Sequence, residues 1–94
     1  MKNILWYLIA GTKGGETRGK MIDFIRKTPS NANRIAEMLK LDYKTVRHHI
    51  DALEKNNVIT AISKGNYGAV YFLSELMQAN IKIFDEIWAQ FGKK

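Results

Sequence analysis

The stretch Tyr43-Lys44-Thr45-Val46-Arg47-His48-His49-Ile50 puts two cations, two hydroxyls and two imidazoles side by side with no acid among them. If the stretch is helical, Val46, Ile50 and Leu53 share one side at the spacing of a helix packed on a core. Lys44, Thr45, His48 and Ala52 then lie on the opposite side, with Arg47 at its edge. A helix of this kind fits the major groove of duplex DNA. There Arg and Lys donate to guanine edges, and Thr can bond a base or touch a thymine methyl. Arg47 is the expected base reader. Basic faces also occur as plain solvated surface, so the surroundings of this helix must decide.

Other chemistries find less support. Gly14 through Lys20 fits the first seven positions of the phosphate-loop pattern G-x-x-x-x-G-K, but Met21 stands where a Ser or Thr hydroxyl must hold magnesium. The glycines are instead expected to form a hinge, with Lys13, Arg18 and Lys20 near the DNA backbone as sequence-independent phosphate contacts. The chain has no cysteine, hence no disulfide and no thiolate metal site. Its two histidines, His48 and His49, are adjacent. They would project about 100° apart on a helix and could not easily share one ion. His49, beside the core stripe, is expected to hydrogen-bond within the domain. No strained nucleophile turn suggests catalysis. The expectation is a non-enzyme without cofactor or metal.

Fifteen Lys and Arg against nine Asp and Glu give a net charge of +6, which favours a polyanionic partner. The excess is not uniform: residues 12–73 carry eleven basic and six acidic side chains, while residues 74–94 carry three of each. Ninety-four residues support one core, so a single domain spanning 1–94 is expected. The longest apolar run, Ile4 to Ala10, is far short of the roughly 20 residues of a membrane span, and no convincing leader cleavage site follows it. A cytoplasmic location is the default expectation.

The elements that would position the basic face follow from periodicity and capping. Ile4 to Ala10 is apolar all round and reads as a helix buried on more than one side, with a buried strand as the alternative. A helix from about Thr17 to Lys27 turns Met21, Ile22 and Ile25 inward, and Pro29 closes it. Asn31 can cap a short helix bearing Ile35, Ala36 and Leu39, and Asp42 can cap the next, about Tyr43 to Asn56. Residues 58–63 and 69–73 are β-prone runs around a Gly- and Asn-containing turn and read as a hairpin. Ser74 can cap one final helix to about Phe91, where Met77, Ile81, Phe84, Trp88 and Phe91 repeat at 4, 3, 4, 3 spacing. Leu76, Ile83 and Ile87 widen that stripe beyond one contact, which points to a second chain.

Asn31-Ala32-Asn33-Arg34-Ile35-Ala36-Glu37-Met38-Leu39 followed by Asp42 through Ile50 and Leu53-Glu54 resembles the two central helices of ArsR-like winged-helix repressors. Val46, His49 and Ile50 match the Val, His and aliphatic positions of their second helix, and the likeness runs over about residues 18–73. The resemblance implies a mainly α fold with a small β-hairpin, a winged helix-turn-helix with added N- and C-terminal helices. It implies that Tyr43, Lys44, Thr45, Arg47 and His48, with Arg34, approach bases or phosphates, and that Lys64, Asn66 and Tyr67 sit at the wing tip near the minor groove. It further implies a homodimer built from a segment at 1–16 and a helix at 74–94, flanking a core at 17–73, with Ile4, Leu5, Leu8, Met77, Ile81, Phe84, Trp88 and Phe91 at the interface. Metal-sensing members use cysteines, or His and carboxylates on a terminal helix, and this chain departs from both patterns. The expected function is sequence-specific binding of double-stranded DNA in transcription regulation. A protein-interaction module, or a non-specific nucleic-acid binder, is the alternative.

Overall fold

The computed structural model describes residues 1–63 and 68–91. The chain order is α1 (Lys2–Ile9), α2 (Gly15–Lys27), α3 (Ala32–Leu39), α4 (Tyr43–Lys55), β1 (Ile59–Ser63), β2 (Ala69–Leu73), α5 (Glu75–Ala79) and α6 (Ile81–Phe91). Three helices followed by an antiparallel hairpin make the winged helix-turn-helix arrangement. The remaining helices lie at either end of the sequence.

The helix starts are set where the capping residues predict them. Asn31 accepts a hydrogen bond from the Arg34 N–H, and Asp42 accepts from the N–H groups of Lys44 and Thr45. Between α3 and α4 the chain reverses through Lys40, which adopts the left-handed conformation while the Leu41 N–H bonds back to the Ala36 carbonyl. This turn fixes α4 against α3. Met21, Ile22 and Ile25 of α2, Ile35 of α3, and Val46, Ile50 and Leu53 of α4 are all fully buried, as their spacing requires. At about 25 cal/mol per Å² of apolar surface, each stabilises the fold by roughly 1.5–3 kcal/mol before entropy.

The hairpin pairs Ile59 with Leu73 through Ser63 with Ala69. Tyr71 and Leu73, two residues apart, face the core, and the Tyr71 N–H bonds to the Ser30 carbonyl, 2.9 Å, which fastens the hairpin to the segment entering α3. Ser74 then donates from Oγ to the Asn57 carbonyl and accepts from the Met77 N–H.

Two expectations are corrected here. The C-terminal segment is not one helix: it breaks at Asn80, whose side-chain amide donates to the Leu76 carbonyl while its own carbonyl accepts from Ile83 and Phe84. Asn competes with the helix backbone in this way and favours caps over interiors. The α1 helix is not buried on more than one side either. Leu5, Leu8 and Ile9 enter the core, whereas Ile4, Trp6 and Tyr7 are exposed.

The same burial corrects half of the expected dimer surface. Leu5, Leu8, Met77 and Phe84 are enclosed by their own chain and cannot also contact another. Ile81, Trp88 and Phe91 are half-buried. The α6 helix is tied to α2 by the Arg26–Asp85 ion pair, 2.7 Å, while Phe84, Trp88 and Phe91 stack on one another along α6 itself. The Trp88 ring lies against Gly19. No helix among the described residues is long and apolar enough to cross a membrane.

Candidate nucleic-acid interface

The core stripe of α4 locks one side of the helix, so the other side is presented without freedom to rotate. Tyr43, Lys44, Thr45 and His48 are exposed on its first two turns. No ion pair forms at Lys44, Arg34, Lys40 or Lys55 among the described residues. On α2, by contrast, Lys20, Arg26 and Lys27 are each paired with a carboxylate. Lys44 on the first turn of α4 and Arg34 on α3 are thus among the cations left without a carboxylate partner, and a polyanion would meet them directly.

Arg47 departs from a simple outward projection. Its Nη1 donates to the Tyr71 hydroxyl of β2 at 2.7 Å, and its Nη2 lies 3.4 Å from Oδ1 of Asp51. The bond to Tyr71, opposed by partial burial and helped by Asp51, raises the guanidinium pKa above its ordinary value. The side chain is 38% exposed and leans toward the hairpin. It lines a cleft of about 350 Å³ with Asn31, Asn33, Tyr43, Gly68 and Tyr71. Sequence reasoning did not place Asn33, Asp51 or Tyr71 there. The available signal was an inward-facing tyrosine in a short strand, whose buried hydroxyl needs a partner.

Arg18 is a second correction. It is not available to a DNA backbone, being only 6% exposed. Its Nε donates to the Leu8 carbonyl at 2.6 Å and its Nη2 to the Thr12 hydroxyl and the Lys13 carbonyl, so it caps the end of α1 and holds the connection to α2. Burial lowers its pKa from the ordinary value. The glycines around it are not a hinge. A Cβ on Gly15 would lie 1.7 Å from the Ile9 carbonyl oxygen, and Gly14 has φ +89° with the His49 ring packed over it. The phosphate-loop look-alike is a packing motif.

His49 is buried, and its Nδ1 lies 3.3 Å from Nη1 of Arg18. A guanidinium can only donate, so Nδ1 accepts and the neutral ring carries its proton on Nε2. Burial, then Arg18, then His48 hold its pKa below the ordinary 6.5. The unfolded chain thus takes up a proton near pH 6.5 that the folded chain resists. Stability is full above that pH and falls as the pH drops toward the lower folded value. Thermal melts at pH 7.5 and 5.5 should show a larger loss for the native chain than for His49→Gln; parallel losses would refute this account of His49.

His48 and His49 meet edge to face, ring centroids 5.5 Å apart, and among the described residues no group of three His, Cys, Asp or Glu is placed to hold a metal. Arg34 is exposed on α3. Lys64, Asn66 and Tyr67, expected at the wing tip, lie outside the described residues.

No family model matches the chain. A protein of Methanocaldococcus jannaschii described as an uncharacterized HTH-type transcriptional regulator is 30% identical over 60 residues, which are 64% of this chain and 15% of that protein. The match thus spans about a seventh of that relative. Among solved structures, the reduced form of the transcriptional regulator YodB from B. subtilis superposes with a TM-score of 0.70 at 20% identity, over 86% of this chain and 79% of that one. Streptococcus pneumoniae FabT in complex with DNA gives a TM-score of 0.66 at 14% identity, over 93% and 65%. At these identities the likeness is one of fold, and the fold is that of winged-helix transcriptional regulators.

Proposed function

We propose that the chain is a sequence-specific, double-stranded-DNA-binding regulator of transcription that works as a homodimer inside the cell. The observation that carries the reading is the unpaired Lys44, with Thr45 and His48, on the exposed first turns of a helix whose opposite side is fixed in the core. Tyr43 and Arg47 lie on the same helix and Arg34 is exposed on α3; Lys64, Asn66 and Tyr67 join the reading only on the family resemblance. FabT supplies a case of this fold solved with DNA. The ArsR-like kinship rests on Val46, His49 and Ile50, and gives no reason to add a metal.

For the dimer, the support is apolar surface left uncovered in one chain. Ile4 and Trp6 are 37% and 38% exposed, and Trp6 shares a groove of about 180 Å³ with Ala10, Ile87, Gln90 and Phe91. Together with half-buried Ile81 and Trp88, these residues form the face that a second copy would cover.

Selection from a random duplex pool tests the reading. It should enrich a two-fold motif with half-sites about 10–10.5 base pairs apart. Lys44→Ala should weaken the selected duplex by about 1–3 kcal/mol. Binding without any enriched sequence would replace the regulator by a non-specific nucleic-acid binder, and absence of binding would favour a protein-interaction module.

A further inference from the structure

We infer that the cleft between α3, α4 and β2 is a clamp for one DNA backbone phosphate, that Arg47 is its charged jaw, and that the Tyr71 hydroxyl at the cleft wall positions Arg47 for it. Arg47 then sets register on the duplex and does not read a base. The inference rests on the duplex-binding reading given above.

Three observations lead to it. The first is orientation. A base-reading arginine extends its fork straight into the groove, whereas the Arg47 guanidinium is turned sideways and held by the 2.7 Å bond to Tyr71. Reaching a base edge would break that bond. The second is the chemistry of the lining. Asn31, Asn33, Tyr43 and Tyr71 bring amide and phenol donors around Arg47, and among the described residues no carboxylate lines the cleft. Asn31 accepts through Oδ1 from the Arg34 N–H, which leaves its amide hydrogens to donate. Tyr71 accepts from Arg47, so its own O–H is also free to turn outward. A phosphodiester, acceptor-only and singly charged, matches this set; adenine and cytosine edges present donors, and the guanine edge, though acceptor-only, is uncharged. Asp51 sits beside Arg47 at a loose 3.4 Å with a 69% exposed side chain, so a phosphate can displace it into solvent.

The third is location. Each groove of a duplex is bounded by phosphate strands. With the outer side of α4 in the major groove and the hairpin next to it, the strand bordering that groove must pass over the gap between them. The Arg47 cleft is that gap. Phosphate contacts of this kind position a protein without carrying sequence information.

The test uses the full chain and the duplex selected from the random pool, with single phosphates replaced one at a time by neutral methylphosphonate. Native protein should lose about tenfold in affinity at one phosphate of each half-site. Arg47→Ala should bind more weakly and be indifferent to that replacement, with unchanged base preference and a salt slope shallower by about 1 for each clamp lost. Tyr71→Phe keeps the buried ring, so its fold is retained. It should shrink the methylphosphonate effect, again without changing base preference. Relaxed preference at one base pair in Arg47→Ala, or a methylphosphonate effect that survives in that variant, would overturn the clamp while leaving duplex binding intact. Native protein that binds no duplex at all would overturn the underlying reading, and the clamp with it.

Discussion

Arg18→Met is expected to destabilise the protein by about 3–5 kcal/mol, read as a fall in the urea midpoint. Methionine is unbranched and of comparable length, so the variant removes the charge and the donors while filling most of the space. The Leu8 carbonyl and His49 Nδ1 then lose their shared donor in a buried setting, and the Thr12 hydroxyl and Lys13 carbonyl lose it in a partly buried one. A buried acceptor left without a donor costs about 1–3 kcal/mol, and partial re-solvation keeps the sum below the simple total. The effect should reach α4 through His49, although the Lys44 face itself is untouched. A loss below about 1 kcal/mol would show that Arg18 is a surface group, as its place in a run of glycines and cations first suggests.

Gly15→Ala should be of similar size, about 3 kcal/mol or more, because the added methyl meets backbone and not a movable side chain. Its Cβ would fall 1.7 Å from the Ile9 carbonyl oxygen and 2.5 Å from the carbonyl carbon. Relief requires α1 to move off α2, and α1 carries Leu5, Leu8 and Ile9 into the core. Gly19→Ala is the informative comparison. There the Cβ would meet Trp88 ring atoms from 2.1 Å, but Trp88 is half-buried on α6 and its ring can swing outward. Gly15→Ala should therefore unfold at lower urea than Gly19→Ala. The reverse order would mean that the α1–α2 junction yields easily and that Trp88 is the rigid contact.

These two positions also show where sequence reasoning stops. The inner faces of α2, α3 and α4 were readable because their apolar residues recur at one fixed spacing and because Asn31 and Asp42 announce the helix starts. Nothing comparable marks Arg18. A cation among glycines reads the same whether it points at solvent or closes over a helix end, and only the approach of α1 decides between them. The all-apolar Ile4 to Ala10 run had the same defect: composition revealed a helix but not how many neighbours it had. In the C-terminal segment the repeat of Met77, Ile81, Phe84 and Trp88 continues across the break at Asn80, since the break keeps the same side inward. Periodicity could not reveal it, although an Asn between two apolar turns was a usable cue. At the interface, Lys44, Thr45 and His48 lie exposed on the helix that the motif predicts. Arg47, expected at the edge of that face, leans toward the hairpin, and the sequence gives no sign of its partner because Tyr71 lies on a strand 24 residues away.

The measurement that bears most directly on the regulator reading is the salt dependence of duplex affinity for the native protein. If Lys44, Arg34, Arg47 and their symmetry mates meet a DNA backbone, a dimer making about 4–8 phosphate contacts should show a log–log slope of roughly −4 to −7. An affinity that stays flat as salt rises would contradict it.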